Sequence, residues 1–218
     1  MSLSLWLFGL VLGMRHALEP DHLAAVSTLV AERRTGSGAG AVLGGIWGVG
    51  HTAALLAVAV LLGWAGTAMP PRLALAFELA VAFMLIAIGV RSLLVARRDR
   101  SRALLAHRHP VAEGHSHRWR FARRSLVVGL VHGLAGSGAL TALVASQLPG
   151  APGRVGYVML FGLGSIVGMT ILSGIAGWPL SRLGRNPAVG RALMIVTGVF
   201  ACGLGVVWGV PLVRALLS

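Results

Sequence analysis

Five ionisable side chains crowd into eight residues of an otherwise apolar stretch: Arg15, His16, Glu19, Asp21 and His22, in the string Arg-His-Ala-Leu-Glu-Pro-Asp-His. Arg15 and Glu19 stand at i and i+4, a spacing at which the two charges neutralise each other on a helix. That leaves Asp21 with two imidazoles, a nitrogen- and oxygen-rich set suited to a divalent transition cation. Pro20 lies between the histidines. It has no N–H, and its ring crowds the carbonyl four residues back, that of His16, so a helix through this segment is expected to kink or unwind. On a continuous helix His16 and His22 would be about 120° apart. A break lets them converge and frees a backbone oxygen.

The elements that must position these groups follow from composition. The chain has 218 residues, 56% of them hydrophobic and 11% charged, with a mean hydropathy of +0.82, whereas soluble domains are about 25% charged. Mostly apolar stretches cover roughly 3–30, 39–65, 71–96, 124–146, 154–180 and 188–213, each long enough to cross a hydrocarbon layer of about 30 Å. The expectation is an all-α, polytopic membrane protein of six transmembrane helices, the first kinked at Pro20. Its 31 glycines fit close helix packing. The single cysteine, Cys202, rules out an intrachain disulfide and a Cys-based zinc site. The first stretch is not preceded by a basic region or followed by a small-residue cleavage site, so it is expected to be retained.

All 19 basic residues are Arg. They gather in connections rather than on one face, which reads as a topology signal and not as a nucleic-acid surface. Arg33 and Arg34, nine Arg from Arg97 to Arg124, and the group Arg182, Arg185 and Arg191 mark three loops as cytoplasmic. Both termini are then expected outside the cytoplasm, in a multi-pass protein of the cell inner membrane. The long hydrophilic stretch carries His107, His109, His115 and His117. It reads either as a solvated loop or as a collecting point for soft cations at the cytoplasmic mouth.

The two halves resemble each other. Gly13-Met14-Arg15-His16 aligns with Gly129-Leu130-Val131-His132, and Gly50-His51-Thr52 aligns with Gly168-Met169-Thr170. Residues 1–96 and 124–218 are therefore expected to form two three-helix repeats flanking an Arg/His-rich loop at 97–123. With three spans per repeat, the copies enter the membrane from opposite sides, the inverted arrangement whose binding sites lie at the repeat interface.

Isolated ionisable groups at membrane depth cost roughly 2.5–3.5 kcal/mol each on insertion scales, so they are functional candidates by default. At about 1.5 Å per residue, His16, His51 and His132 lie about 10, 15–18 and 12 Å from the cytoplasmic edge. Singly, His51 could bond a neighbouring carbonyl and His132 could pair with Ser137. Three at one depth beside an acidic, broken segment point to a shared site of His16, Asp21, His22, His51 and His132. Glu78 reads as an interfacial carboxylate, and Met169 as packing with a remote ligand role.

The stretch Arg15-His16-Ala17-Leu18-Glu19-Pro20-Asp21-His22-Leu23 resembles the first signature of the nickel/cobalt transporter family, in which the pattern His-x4-Asp-His recurs as His16, Asp21 and His22. Gly50-His51-Thr52 is similar to that family's second signature. The resemblance implies metal-handling roles for His16, Asp21, His22 and His51, and the six-span length is similar to the short branch that includes urease-accessory-type membrane proteins. Glu19-Pro20 replaces Asp-Ala, and Gly136-Ser137-Gly138-Ala139 stands where a second acidic signature is expected.

The resulting expectation is a transporter, not an enzyme, that moves Ni²⁺ or Co²⁺ as cargo with no resident cofactor. Its partners would be the ion and the lipid bilayer, with a second copy or metalloenzyme-maturation proteins as further candidates and no nucleic acid. No Walker-type Gly-x4-Gly-Lys is present, so an ion gradient or the membrane potential is the expected driving force. Metal binding needs neutral imidazole, so flux is expected to fade below about pH 6.5, the unperturbed histidine pKa. Three rivals stand beside this reading: an acyltransferase-type enzyme using His16-x4-Asp21, a small-anion (sulfite-like) exporter built around Arg15, and an accessory subunit without transport of its own.

Overall fold

The computed structural model describes residues 3–33, 36–67, 69–105, 116–135, 150–183 and 186–217. These form seven helices and no strand: α1 (Leu3–His16), α2 (Pro20–Arg33), α3 (Ser37–Ala65), α4 (Pro71–Leu105), α5 (Ser116–Leu134), α6 (Gly150–Leu183) and α7 (Pro187–Leu217). Stretches of α3, α4, α6 and α7, namely Ser37–Ala65, Pro71–Arg98, Pro152–Leu183 and Pro187–Leu217, are each long and apolar enough to cross a bilayer. With four such helices the chain is a multi-pass membrane protein.

The expected break at Pro20 divides the first apolar stretch into two separate helices. The Leu18 and Glu19 N–H groups bond back to the carbonyls of Arg15 and His16 at 2.9 and 3.0 Å, tight i to i−3 bonds that close α1. Pro20 then occupies the first position of α2, where its missing N–H costs nothing and its fixed φ suits the new helix. The Glu19 carbonyl accepts the first bond of α2, from the Leu23 N–H at 3.0 Å. Other ends are equally local in cause. Gly66, at φ +64°, closes α3 with its N–H on the Leu62 carbonyl. Asn186 caps α7 through its side-chain oxygen on the Ala188 N–H at 2.9 Å.

Small residues decide which helices touch. Glycines of α3 lie on α6, with Gly40 beside Ser173, Gly44 beside Met169 and Gly48 beside Ile166. One index falls as the other rises, so the pair is antiparallel. By the same test α4 and α7 are antiparallel, with Gly205 beside Ala82 and Gly89 beside Gly198. In contrast α1 runs parallel to α6, with Gly9 against Tyr157 and Gly13 against Phe161, and α5 runs parallel to α3, with Gly129 against Trp47 and Gly133 against His51. At most of these points a Cβ would strike backbone, so the glycines set the helix separations. The outward faces are apolar, as at Leu7, Phe8, Val60, Leu61, Val196 and Val207. The interior mixes apolar residues such as Trp47, Leu85 and Phe161 with polar ones such as Ser92, Ser125 and the histidines.

The stretch 97–123 differs from the loop expected there. Helix α4 continues to Leu105 and α5 begins at Ser116. Arginine is a good helix former, so the basic stretch continues the apolar helix without a break. His117 falls in the first turn of α5, while His107, His109 and His115 lie outside the described residues, as do Ser137 and the segment 136–149.

Candidate metal centre

Each expected ligand residue occupies a position that a helix end or a close helix contact creates. His16 is the last residue of α1, and Asp21 and His22 are in the first turn of α2. His51 lies midway along α3 and His132 in the last turn of α5. Because α5 lies on the backbone of α3 through Gly129 and Gly133, His132 is carried to the level of His51.

All five side chains meet. His16, Asp21, His22, His51 and His132 are 4, 7, 0, 0 and 2% exposed. Their ligand atoms form two groups, His16 with His22 and His51, and Asp21 with His22 and His132. Within each group the atoms lie within 4.8 Å of one another. Nitrogens bound to one ion at about 2.1 Å lie about 3.0–4.2 Å apart, so a small inward shift would bring each group onto one ion. The ring centroids of His16 stand 4.3 Å from those of His22 and 5.0 Å from those of His51. Those of His22 and His132 are 4.5 Å apart.

Hydrogen bonding divides the cluster. His22 Nδ1 lies 2.9 Å from Asp21 Oδ1, and His132 Nε2 lies 3.1 Å from Asp21 Oδ2, so the carboxylate spans two imidazoles from opposite halves of the chain. The His22 backbone N–H also donates to Asp21 Oδ1, at 2.9 Å. By contrast both nitrogens of His16, His22 Nε2, both nitrogens of His51 and His132 Nδ1 have no hydrogen-bond partner among the described residues. A buried polar group without a partner costs roughly 1–3 kcal/mol in proteins. Several within one buried cluster leave lone pairs that an ion could take.

Glu19 does not serve Arg15 as the spacing implied. Its Oε1 lies 3.0 Å from His16 Nδ1, near enough for an ion pair with a protonated ring but not aligned for a hydrogen bond. Arg15 itself is exposed. Glu78 belongs to neither ligand group among the described residues, and Met169 is buried in the apolar core with Ala17, Val26 and Trp47.

Two features of the site lie beyond what spacing revealed. Trp47 stacks on His22, with centroids 5.2 Å apart and planes 22° apart, and so packs one side of the cluster. It precedes His51 by one helical turn on the same face, a relation the sequence does hold. The second is Glu32, at the far end of α2. Its side chain is 5% exposed and accepts from Arg91 Nε of α4 at 3.3 Å and from Arg124 Nη1 of α5 at 3.2 Å. A carboxylate directly beside Arg33 and Arg34 was the available signal.

The chain is similar over most of its length to a urease accessory protein. Over 208 residues it is 29% identical to urease accessory protein UreH of Bacillus sp. (strain TB-90), an alignment that covers 94% of this chain and 90% of UreH. UreH carries the name of an accessory protein rather than of an enzyme. No protein-family model matches the chain, and no solved structure matches it.

Proposed function

We propose that this protein carries divalent transition-metal cations, nickel or cobalt, across the membrane through a site made by His16, Asp21, His22, His51 and His132. The observation that carries the reading is the meeting of unpartnered imidazole nitrogens from α1, α2 and α3 at a helix break inside a multi-pass membrane protein. Imidazole favours nickel, cobalt, copper and zinc over magnesium and calcium, which prefer oxygen. Similarity to UreH, whose name ties it to urease, supports nickel as the natural cargo and a metalloenzyme-maturation pathway as its destination.

Six spans and an inverted repeat are part of the same proposal, supported by reciprocal contacts. Gly13 meets Ser165 as Gly129 meets Trp47, and Gly168 meets Met14 as Gly50 meets Leu130. Gly89 meets Cys202 as Gly205 meets Ile86. In each pair of contacts the partners are exchanged for residues 116 or 118 positions away, which is what a pseudo-two-fold axis produces. The antiparallel crossings of α3 on α6 and of α4 on α7 fit an axis in the membrane plane. The arginine-rich ends would then face the cytoplasm, with both termini on the other side.

The rival enzyme reading needs Asp21 to orient His16. Instead Asp21 is engaged by His22 and His132. An anion site centred on Arg15 is disfavoured because that side chain is exposed outside the buried cluster. The deciding experiment is labelled Ni²⁺ flux in proteoliposomes. Wild type is expected to move the ion, with His16→Ala and His51→Ala at background. Flux unchanged in both variants would refute the assignment, and sulfite flux without metal flux would favour the anion exporter.

A further inference from the structure

The five residues do not serve alike, and the two nitrogens of His22 show how they divide. Its Nδ1 is bonded to Asp21, whereas its Nε2 is unpartnered, and His22 forms one ligand group with His16 and His51. A carboxylate can only accept, so the Nδ1 facing it is the nitrogen that carries hydrogen and the Nε2 is left with its lone pair. In His132 the roles are reversed: Nε2 faces Asp21 and Nδ1 is the unpartnered nitrogen, but this ring is not in the group with His16 and His51.

An ion placed among His16, His22 and His51 breaks no existing hydrogen bond. Taking the nitrogens of His22 and His132 that face Asp21 would require it to break their bonds to the carboxylate or displace their protons. Resting on the ion-carrying reading above, we infer that the cargo is held by three imidazoles, of His16, His22 and His51, and that Asp21 is a positioning residue outside that shell. Asp21 holds His22 in the tautomer that presents Nε2, and it ties that ring to His132 of the second half. Carboxylates placed behind metal-bound imidazoles fix ring orientation and raise ligand basicity in this way.

The inner shell is then neutral and made only of nitrogen. Two carboxylates sit behind it, Asp21 against His22 and Glu19 against His16, and offset part of the ion's charge without bonding it. Such a shell takes borderline transition cations and offers magnesium or calcium no protein oxygen in direct contact. It also lets the ion leave without stripping it from an anionic ligand, which suits a carrier better than a storage site. Because Asp21 and His22 ride on α2 while His16 ends α1, a small swing of α2 about the Ala17–Glu19 turn would withdraw one of the three imidazoles and lower the ion's hold.

X-ray absorption on the full chain in detergent, loaded with Ni²⁺ alone, tests this directly. Wild type is expected to show three imidazole scatterers. Asp21→Asn is expected to keep the same three while its affinity falls by about 10- to 100-fold, the usual loss when a residue behind the ligands is changed. His51→Ala is expected to lose one imidazole. His132→Ala should keep all three, with weakened binding. A shell in which Asp21→Asn loses a first-shell scatterer, or in which His132→Ala loses an imidazole, overturns the inference but leaves the carrier reading intact. Wild-type protein that binds no Ni²⁺ overturns both.

Discussion

Gly133 lies directly against the carbonyl of His51. A Cβ there would collide with that oxygen and with the side chain of Ala54. One glycine thus holds α5 on α3 at the point where His132 reaches Asp21, and it couples helix packing in the second half to ligand geometry in the first.

Gly133→Val is therefore expected to push α5 outward and separate His132 from Asp21. Overpacking of this kind costs roughly 1–3 kcal/mol, and the backbone contact puts this site at the upper end. Loss of Ni²⁺ affinity of at least tenfold, with a lower apparent unfolding midpoint in detergent, is the expected outcome. A variant with wild-type affinity and midpoint would show that the two helices do not need this approach.

Glu32 ties the far end of α2 to α4 and α5. Glu32→Gln removes the charge on which Arg91 and Arg124 converge. Arg91 is 48% exposed and its pair is screened, so it contributes little. Arg124, at 27% exposure, contributes more. The expected order of lowered thermal midpoints is Glu32→Gln, then Arg124→Ala, then Arg91→Ala, with the differences shrinking at high salt. Equal midpoints for all three would remove the clamp from the account.

Pro20→Ala restores an N–H and removes the ring that crowds the His16 carbonyl. Helix can then propagate from α1 into α2, turning His16 and His22 about 120° apart. We expect Ni²⁺ affinity to fall at least tenfold while the protein stays folded, because alanine is a strong helix former. Circular dichroism should show equal or greater helicity. Unchanged affinity would mean that the Ala17–Glu19 turn holds without the proline.

Much of this was legible in the residues themselves. Ionisable groups are so costly in apolar segments that His16, Asp21, His22, His51 and His132 announce themselves, and the missing N–H of Pro20 foretells the break between the first two. Their division into an inner three and an outer pair was not legible. It depends on which nitrogen of His22 faces Asp21 and on the contact with His132, 111 residues away, and no local spacing encodes either. Arg15 and Glu19 show the opposite failure. Their i, i+4 spacing has meaning only on an unbroken helix, and α1 ends at His16. The helical ends of 97–123 were hidden because an arginine-rich helix has no apolar period to read.

The most direct test of the central claim is equilibrium titration of the purified full chain with Ni²⁺ in detergent, comparing wild type with His16→Ala, His22→Ala and His51→Ala. The account predicts one saturable site in wild type that is not displaced by excess Mg²⁺ or Ca²⁺, and loss of at least 100-fold in affinity for each alanine variant. Equal affinity in wild type and all three variants, or competition by Mg²⁺ at comparable concentration, would contradict it.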